Sequence, residues 1–240
     1  MVIEGDWLKQ QIADWGISLT EEQLSQFEVY YQHLVETNQW MNLTAITDHH
    51  EVYVKHFYDS LTIIRHIPIK QIQTVIDIGT GAGFPGIPLK IAFPHIRLVL
   101  LDSLKKRIGF LQEVVNKLNL KQVDCIHGRA EDWGQSQGLR ESFDLVTARA
   151  VARLNILAEY CLPFAKVGGR FIAMKGSLIE DEVSEAKKAL VQLGNATVKT
   201  INLSLPEGMG DRHLLLIEKK KKTPKIFPRR AGIPAKQPLK

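Results

Sequence analysis

Cysteine is scarce in this chain, with only Cys125 and Cys161 among 240 residues. Cys125 falls in a strand-like run and Cys161 in a helix-like one, and both are read as reduced residues in or near the core. No metal site is expected. No apolar run approaches the roughly 18 residues that a membrane-spanning helix needs. The opening segment, MVIEGDWLKQ, has no basic stretch followed by an apolar one, so no secretory signal is expected and a cytoplasmic setting follows. Acid is missing from one place in particular. From Lys219 to the last residue there are nine Lys or Arg and no Asp or Glu.

That gap organises the charge of the whole chain. The formal net charge is +5, and it falls to −4 once those nine cations are removed. A mildly acidic body with a basic tail points to an anionic partner, most simply nucleic acid. The plain alternative is a solvated tail that aids solubility. Otherwise the composition is that of a globular protein, with 45% hydrophobic and 24% charged residues. The length suits one sizeable domain with an appendage.

Residues 1–70 read as helices. Thr20 to Gln23 has the form of a capping box, flanked by a possible staple of Leu19 and Leu24. Leu24, Phe27, Tyr31 and Leu34 then form a helical stripe, and a second helix is expected from Val52 to Ile67, before Pro68. Strand-like and helix-like runs alternate over residues 71–219. The expected strands are Thr74–Ile78, Arg97–Asp102, Val123–His127, Phe143–Ala148, Gly169–Met174, Thr197–Leu203 and His213–Glu218. Between the second and third, Ile108, Leu111, Val115 and Leu118 mark one face of a helix over Ser103–Leu118. The alternation predicts an α/β fold with a mostly parallel sheet, and the short turn Pro206–Gly210 predicts a final antiparallel hairpin. In residues 220–240, Pro224, Pro228, Pro234 and Pro238 exclude a long helix, so that segment is expected to lie extended.

The most telling stretch is Val75–Ile91, where an apolar strand stops at a glycine-rich turn that opens into a helix. Such a turn lets the backbone approach a ligand closely. Two adenosine cofactors compete for it. Gly81-x-Gly83-x-x-Gly86 matches the dinucleotide fingerprint, with Asp102 as its acidic partner, so a nicotinamide-dependent oxidoreductase is one candidate. Asp77 argues for the other. A carboxylate two residues before Gly79 would repel a pyrophosphate but not S-adenosylmethionine, which has no phosphate and carries an ammonium and a sulfonium. Asp102 would then hold the ribose diol, because a carboxylate accepts two hydrogen bonds.

Further motifs narrow this. They are Asn38–Thr44, Lys55–Leu61, the loop Gly79-Thr-Gly-Ala-Gly-Phe-Pro-Gly86, Asp102–Arg107, Gly128–Asp132, Thr147–Ala150, Met174–Gly176 and the end of the chain, Thr223–Leu239. In this order they resemble the bacterial small-subunit ribosomal RNA guanine-N7 methyltransferases, the glucose-inhibited division protein B family, over nearly the whole chain. The resemblance implies a class I S-adenosylmethionine-dependent methyltransferase core, Rossmann-like and seven-stranded, over residues 71–219. A helical extension precedes it and a basic tail follows. It implies 16S ribosomal RNA or the small subunit as partner, with guanine N7 in the decoding-region hairpin as acceptor; no membrane partner is expected from the hydropathy, and a monomer is taken only by default. Asp102 stands where Glu is also familiar, which leaves the ribose role intact.

On that resemblance, Gly79, Gly81, Gly83 and Phe84 would surround the methionine part of the cofactor. Asp102 would bind the ribose, with Ser103 and Leu104 edging the adenine. Ala130 and Glu131 would contact the adenine after the third strand. Arg149, closing the fourth strand, would face the cofactor or the target, and Arg149 or Lys175 would position the guanine through O6. His56 is a weaker candidate. Guanine N7 needs no proton removed, so no essential base is expected. Lys105, Lys106, Arg107, Arg212, Lys225, Arg229, Arg230 and Lys236 would contact RNA phosphates. Trp40 would either stack on a base or pack the extension onto the core. A non-catalytic RNA-binding factor with the same fold is a further alternative. A DNA amino-methyltransferase is disfavoured because the chain has no Asp/Asn-Pro-Pro-Tyr/Phe motif.

Overall fold

The computed structural model describes residues 4–149, 151–176 and 180–239; Ala150, which closes the Thr147–Ala150 motif, and the first three residues of the expected helical extension lie outside them. The chain begins with helices α1 (Glu4–Ala13) and α2 (Glu21–Met41). The capping box forms: Gln23 N donates to Thr20 Oγ1 at 3.2 Å, and Thr20 N donates to Gln23 Oε1 at 2.8 Å. The buried stripe of α2 runs through Leu24, Phe27 and Leu34, but Tyr30 completes it instead of the expected Tyr31. Both tyrosines lie one helical step from Phe27. Tyr30 is the one whose hydroxyl reaches the Ala82 carbonyl inside the glycine loop.

The second helical segment is less regular than its apolar pattern predicts. It comprises α3 (His49–Val52), a π-helical turn (Tyr53–Tyr58), α4 (Asp59–Leu61) and a 3-10 turn (Thr62–His66). A π-helical turn widens the helix and re-aims its side chains, and such turns often mark functional sites. Lys55, His56 and Asp59 all project from this stretch.

The sheet comprises β1 (Thr74–Ile78), β2 (Arg97–Asp102), β3 (Val123–His127), β4 (Phe143–Arg149), β5 (Ala165–Lys175), β6 (Thr197–Ser204) and β7 (Asp211–Glu218). Its order is β3-β2-β1-β4-β5-β7-β6. Strands β1 to β5 pair in parallel, and β7 runs antiparallel to both β5 and β6. Helices α5 (Gly86–Ala92), α6 (Lys105–Lys117), α7 (Ala130–Trp133), α8 (Leu154–Cys161) and α9 (Glu180–Gly194) connect the strands.

Side chains alternate across the sheet with the two-residue period of a strand. Val75, Leu98, Leu100 and Leu145 pack with α5, α6 and the N-terminal helices. Ile76, Ile78, Val99, Leu101 and Val146 pack with α8 and α9 on the other face. Burial on both faces explains the unbroken apolar runs of β1 and β2. The strand order reverses between β1 and β4, and the carboxyl ends of these strands flank the crevice where ligands bind in open α/β sheets.

The tail departs from its extended expectation. It folds back along α7 and α8 and ends in a short helix, α10 (Ile233–Lys236). Its own side chains find buried partners. Lys219 is fully buried and donates to Glu141 Oε1 and to the carbonyls of Leu162 and Ala165. Phe227 joins the core beneath α8. Arg140 donates to the carbonyls of Thr223 and Phe227 at 2.7 Å each. Among the described residues no helix is long and apolar enough to cross a membrane.

Candidate active site

The glycine loop leaves β1 and is stapled from below. Asp77 is 0% exposed, and its carboxylate accepts from Thr80 Oγ1 at 2.7 Å, Thr147 Oγ1 at 3.0 Å and Gly86 N at 3.1 Å. Burial pushes its pKa up to about 6, against those three hydrogen bonds. The acid that the sequence sets beside the loop therefore lies under it, bonded to the protein's own donors, and does not line the cavity. Gly83 does not line the cavity, and a Cβ there would sit 2.7 Å from both Tyr30 Oη and Ile87 Cγ1, so the absence of a side chain serves close packing. Gly81 is the opposite case. At φ +62° its position meets nothing within 4 Å, on the side open to ligand.

Two cavities meet above the loop. The first, of about 440 Å³, is lined by Gly79 to Ala82, Phe84, Asp102, Ser103, Arg107, Arg149 and Val151, with Leu43, Thr44 and His56 from the helical extension. The second, of about 110 Å³, is lined by Leu101, Gly128, Ala130, Glu131 and Tyr160 among others. Gly79, Asp102, Ser103 and Val151 belong to both. Asp102 therefore stands where they join, 3% exposed. It accepts from Gly81 N and Leu104 N, each at 2.9 Å, which fixes the carboxylate and leaves further lone pairs. This shape fits S-adenosylmethionine: a polar room with an open glycine for the amino acid, a carboxylate for the ribose diol, and a narrow, partly apolar slot for adenine.

Phe84 and His56 form part of the wall of the first cavity, with ring centroids 4.6 Å apart. The Arg149 guanidinium lies 4.8 Å over the Phe84 ring. Arg149 also donates to the Lys55 carbonyl at 3.2 Å and to Asp59 Oδ2 at 3.3 Å. Arg212 Nε reaches the same oxygen at 3.3 Å. Burial raises the pKa of the Asp59 carboxyl and lowers that of the Arg149 guanidinium. Burial, together with the neighbouring Arg149, pushes His56 down to about 3, so its imidazole is neutral. Beyond Arg149 and His56 a further cavity of about 320 Å³ opens, lined also by Lys55, Asp59, Lys175 and Arg212. It adjoins the first and shares those two residues with it.

Several expected site residues take different positions. Leu104 contributes its backbone amide to Asp102, while the residue is 43% exposed and lines neither cofactor cavity. Glu131 lines the second cavity but also accepts from Gly232 N at 2.8 Å, tying that wall to the tail. Arg107 turns into the first cavity, 3.5 Å from Asp102. Arg229 is committed to the fully buried Glu159, with Nη2 to Oε2 at 2.6 Å and Nε to Oε1 at 2.9 Å. Arg212 is held by Asp59, and Lys175 pairs with Glu182 at 2.8 Å. Lys105, Lys106, Lys225, Arg230 and Lys236 are exposed. Trp40 is 67% exposed, which removes the packing alternative. Its neighbour Asn38 accepts from Leu43 N and Thr44 N, shaping the turn that borders the first cavity. The sequence reading assigned no role to Asp59, Thr44 or Val151, although the first two stand in motifs it singled out.

The sheet order, the glycine loop after β1 and the acid closing β2 define a class I S-adenosylmethionine-dependent methyltransferase. Solved structures agree on the fold. An O-methyltransferase from Bacillus cereus, in complex with SAH, superposes with a TM-score of 0.58 at 16% identity, covering 90% of this chain and all of that one. A SAM-dependent methyltransferase from Aquifex aeolicus gives 0.52 at 18% identity, covering 73% of this chain and 96% of that one. The family model for rRNA small subunit methyltransferase G matches residues 23–215, and the chain belongs to this family. A ribosomal RNA small subunit methyltransferase G from Brevibacillus brevis is 55% identical over 95% of this chain and 96% of its own length. Its counterpart from Staphylococcus aureus is 50% identical over 98% of each.

Proposed function

We propose that this chain transfers the methyl group of S-adenosylmethionine to N7 of a guanine in the decoding-region hairpin of 16S ribosomal RNA. Family membership supports ribosomal RNA as the acceptor class. The observation that carries the choice of N7 is the make-up of the cavity beyond Arg149. Its wall holds four cationic side chains, Lys55, Arg149, Lys175 and Arg212, and one carboxylate, Asp59, already shared by two of them. His56, with a pKa near 3, is a poor proton acceptor. Such a wall suits an acceptor-rich base edge and a nucleophile that loses no proton. Guanine N7 and O6 form that edge.

When bound, the cofactor supplies an electrophilic methyl group on its sulfonium. The protein's part is placement, which can account for much of the acceleration. Arg149, at the wall common to both cavities, donates to guanine O6 and so turns N7 toward the cofactor. Phe84 and His56, stacked in the wall, keep water from the reacting atoms. Exposed Lys105, Lys106, Lys225, Arg230 and Lys236 contact phosphates, and Trp40 stacks on a nucleotide flanking the target. Borohydride reduction followed by aniline cleaves RNA at 7-methylguanosine. Small-subunit RNA from cells containing the protein should be cut in the decoding-region hairpin, and RNA from cells lacking it should not. Cutting in both, or in neither, would contradict the proposal.

A further inference from the structure

Asp59 is 2% exposed and lies on the wall of the cavity beyond Arg149. Its Oδ2 is occupied, at 3.3 Å from both Arg149 Nη1 and Arg212 Nε. Among the described residues, its Oδ1 is buried with no hydrogen-bond partner. Buried acceptors are rarely left unpaired, because the desolvation they suffer is not returned. The residue lines a cavity of about 320 Å³, so a turn of its carboxylate would present the unpaired oxygen to a donor brought in from outside.

We propose that Asp59 is the residue that selects guanine, its Oδ1 accepting the N1–H of the target base. This rests on the reading of guanine as acceptor and adds how the base is recognised. The order of groups supports it. Around guanine, N7 and O6 are acceptors and N1–H, next to O6, is a donor. Along the wall, the boundary with the cofactor cavity comes first, then Arg149, a donor, then Asp59, an acceptor bonded to Arg149. With N7 at the boundary, O6 meets Arg149 and N1–H meets Asp59. Adenine reverses both matches, presenting an amino donor to the arginine and a lone pair to the carboxylate. A site built to hydrogen-bond its substrate rejects an analogue that leaves its buried groups unpaired.

The two arginines also define what Asp59→Asn would do. The amide oxygen would turn toward Arg149 and Arg212, leaving the amide NH2 facing the base. The group that meets guanine N1–H would then be a donor, and the mismatch would pass from adenine to guanine.

The test uses the full-length chain saturated with S-adenosylhomocysteine and follows nucleotide binding by saturation-transfer NMR. GMP should bind at least about tenfold more tightly than AMP or 1-methyl-GMP, whose N1 carries no proton. Equal binding of the three, or no binding, overturns the proposal without any mutation. In Asp59→Asn the preference for GMP over AMP should collapse while S-adenosylhomocysteine affinity stays unchanged, an outcome a merely structural role would not produce. Methyl transfer to small subunits by the same proteins separates the two levels of the argument. Label in a nucleoside other than 7-methylguanosine defeats the acceptor reading. Label in 7-methylguanosine, with Asp59→Asn as fast and as selective as the wild-type chain, defeats the Asp59 assignment alone.

Discussion

Asp77 and Asp102 are both buried acids at the carboxyl edge of neighbouring strands, and their surroundings give them different tasks. Asp77 serves the protein's own donors. Asp77→Ala would leave the Thr80 and Thr147 hydroxyls and the Gly86 amide without their acceptor, and should lower unfolding free energy by about 3 kcal/mol in a urea titration. Asp102 stands open to ligand. Asp102→Ala should weaken S-adenosylmethionine binding by about tenfold or more in calorimetry, as expected for a lost hydrogen bond to a charged group; unchanged affinity would overturn the ribose assignment. His56 reports on burial through pH. The unfolded imidazole takes a proton near 6.5, the folded one only near 3. Between these values the unfolded state holds the extra proton, so this residue erodes stability as pH falls through that window. Relative to the wild-type chain, His56→Gln should therefore gain stability progressively below pH 6.5. Asp77, raised to about 6, acts with the opposite sign, and the comparison of variant with wild type cancels it.

Among the elements, the tail differs most from its expected extended form. It straps α7 and α8, holds Glu159 through Arg229 and reaches the wall of the smaller cavity beside Asp102 through Gly232 and Glu131. Deleting residues 223–240 should therefore weaken cofactor binding as well as RNA binding. Replacing Lys225, Arg230 and Lys236 with Ala should weaken RNA binding alone. Equal S-adenosylmethionine affinity in the deletion and the full chain would show that the strap is not coupled to the slot. The reason this was not legible in the sequence is physical. The Arg229–Glu159 pair joins residues 70 apart, and a run of Lys, Arg and Pro looks the same whether solvated or docked. The capping box and the strands were legible because a four-residue contact and a short apolar run between turns are local. Tyr30 and Tyr31 were not separable, since each fits the stripe from Phe27. Asp102 and the glycine loop were legible from their spacing. Asp59 was not, because its role depends on two arginines that reach it from β4 and β7.

On the scale of the whole molecule, the carboxyl edge of the sheet carries adjoining cavities from Glu131 to Arg212, and exposed cations lie on α6 and the tail. Phosphate contacts of this kind release counterions, so RNA affinity should fall steeply with salt. Replacing Lys225, Arg230 and Lys236 should flatten the slope of log K against log salt by about 2. The central claim is that this arrangement methylates guanine N7 in small-subunit RNA. Its most direct test is to incubate the purified chain with methyl-labelled S-adenosylmethionine and small subunits from cells lacking the protein, then digest the RNA and identify the labelled nucleoside. The expected result is label in 7-methylguanosine. Label in any other nucleoside, or none in subunits, precursor particles and naked RNA alike, would contradict the account.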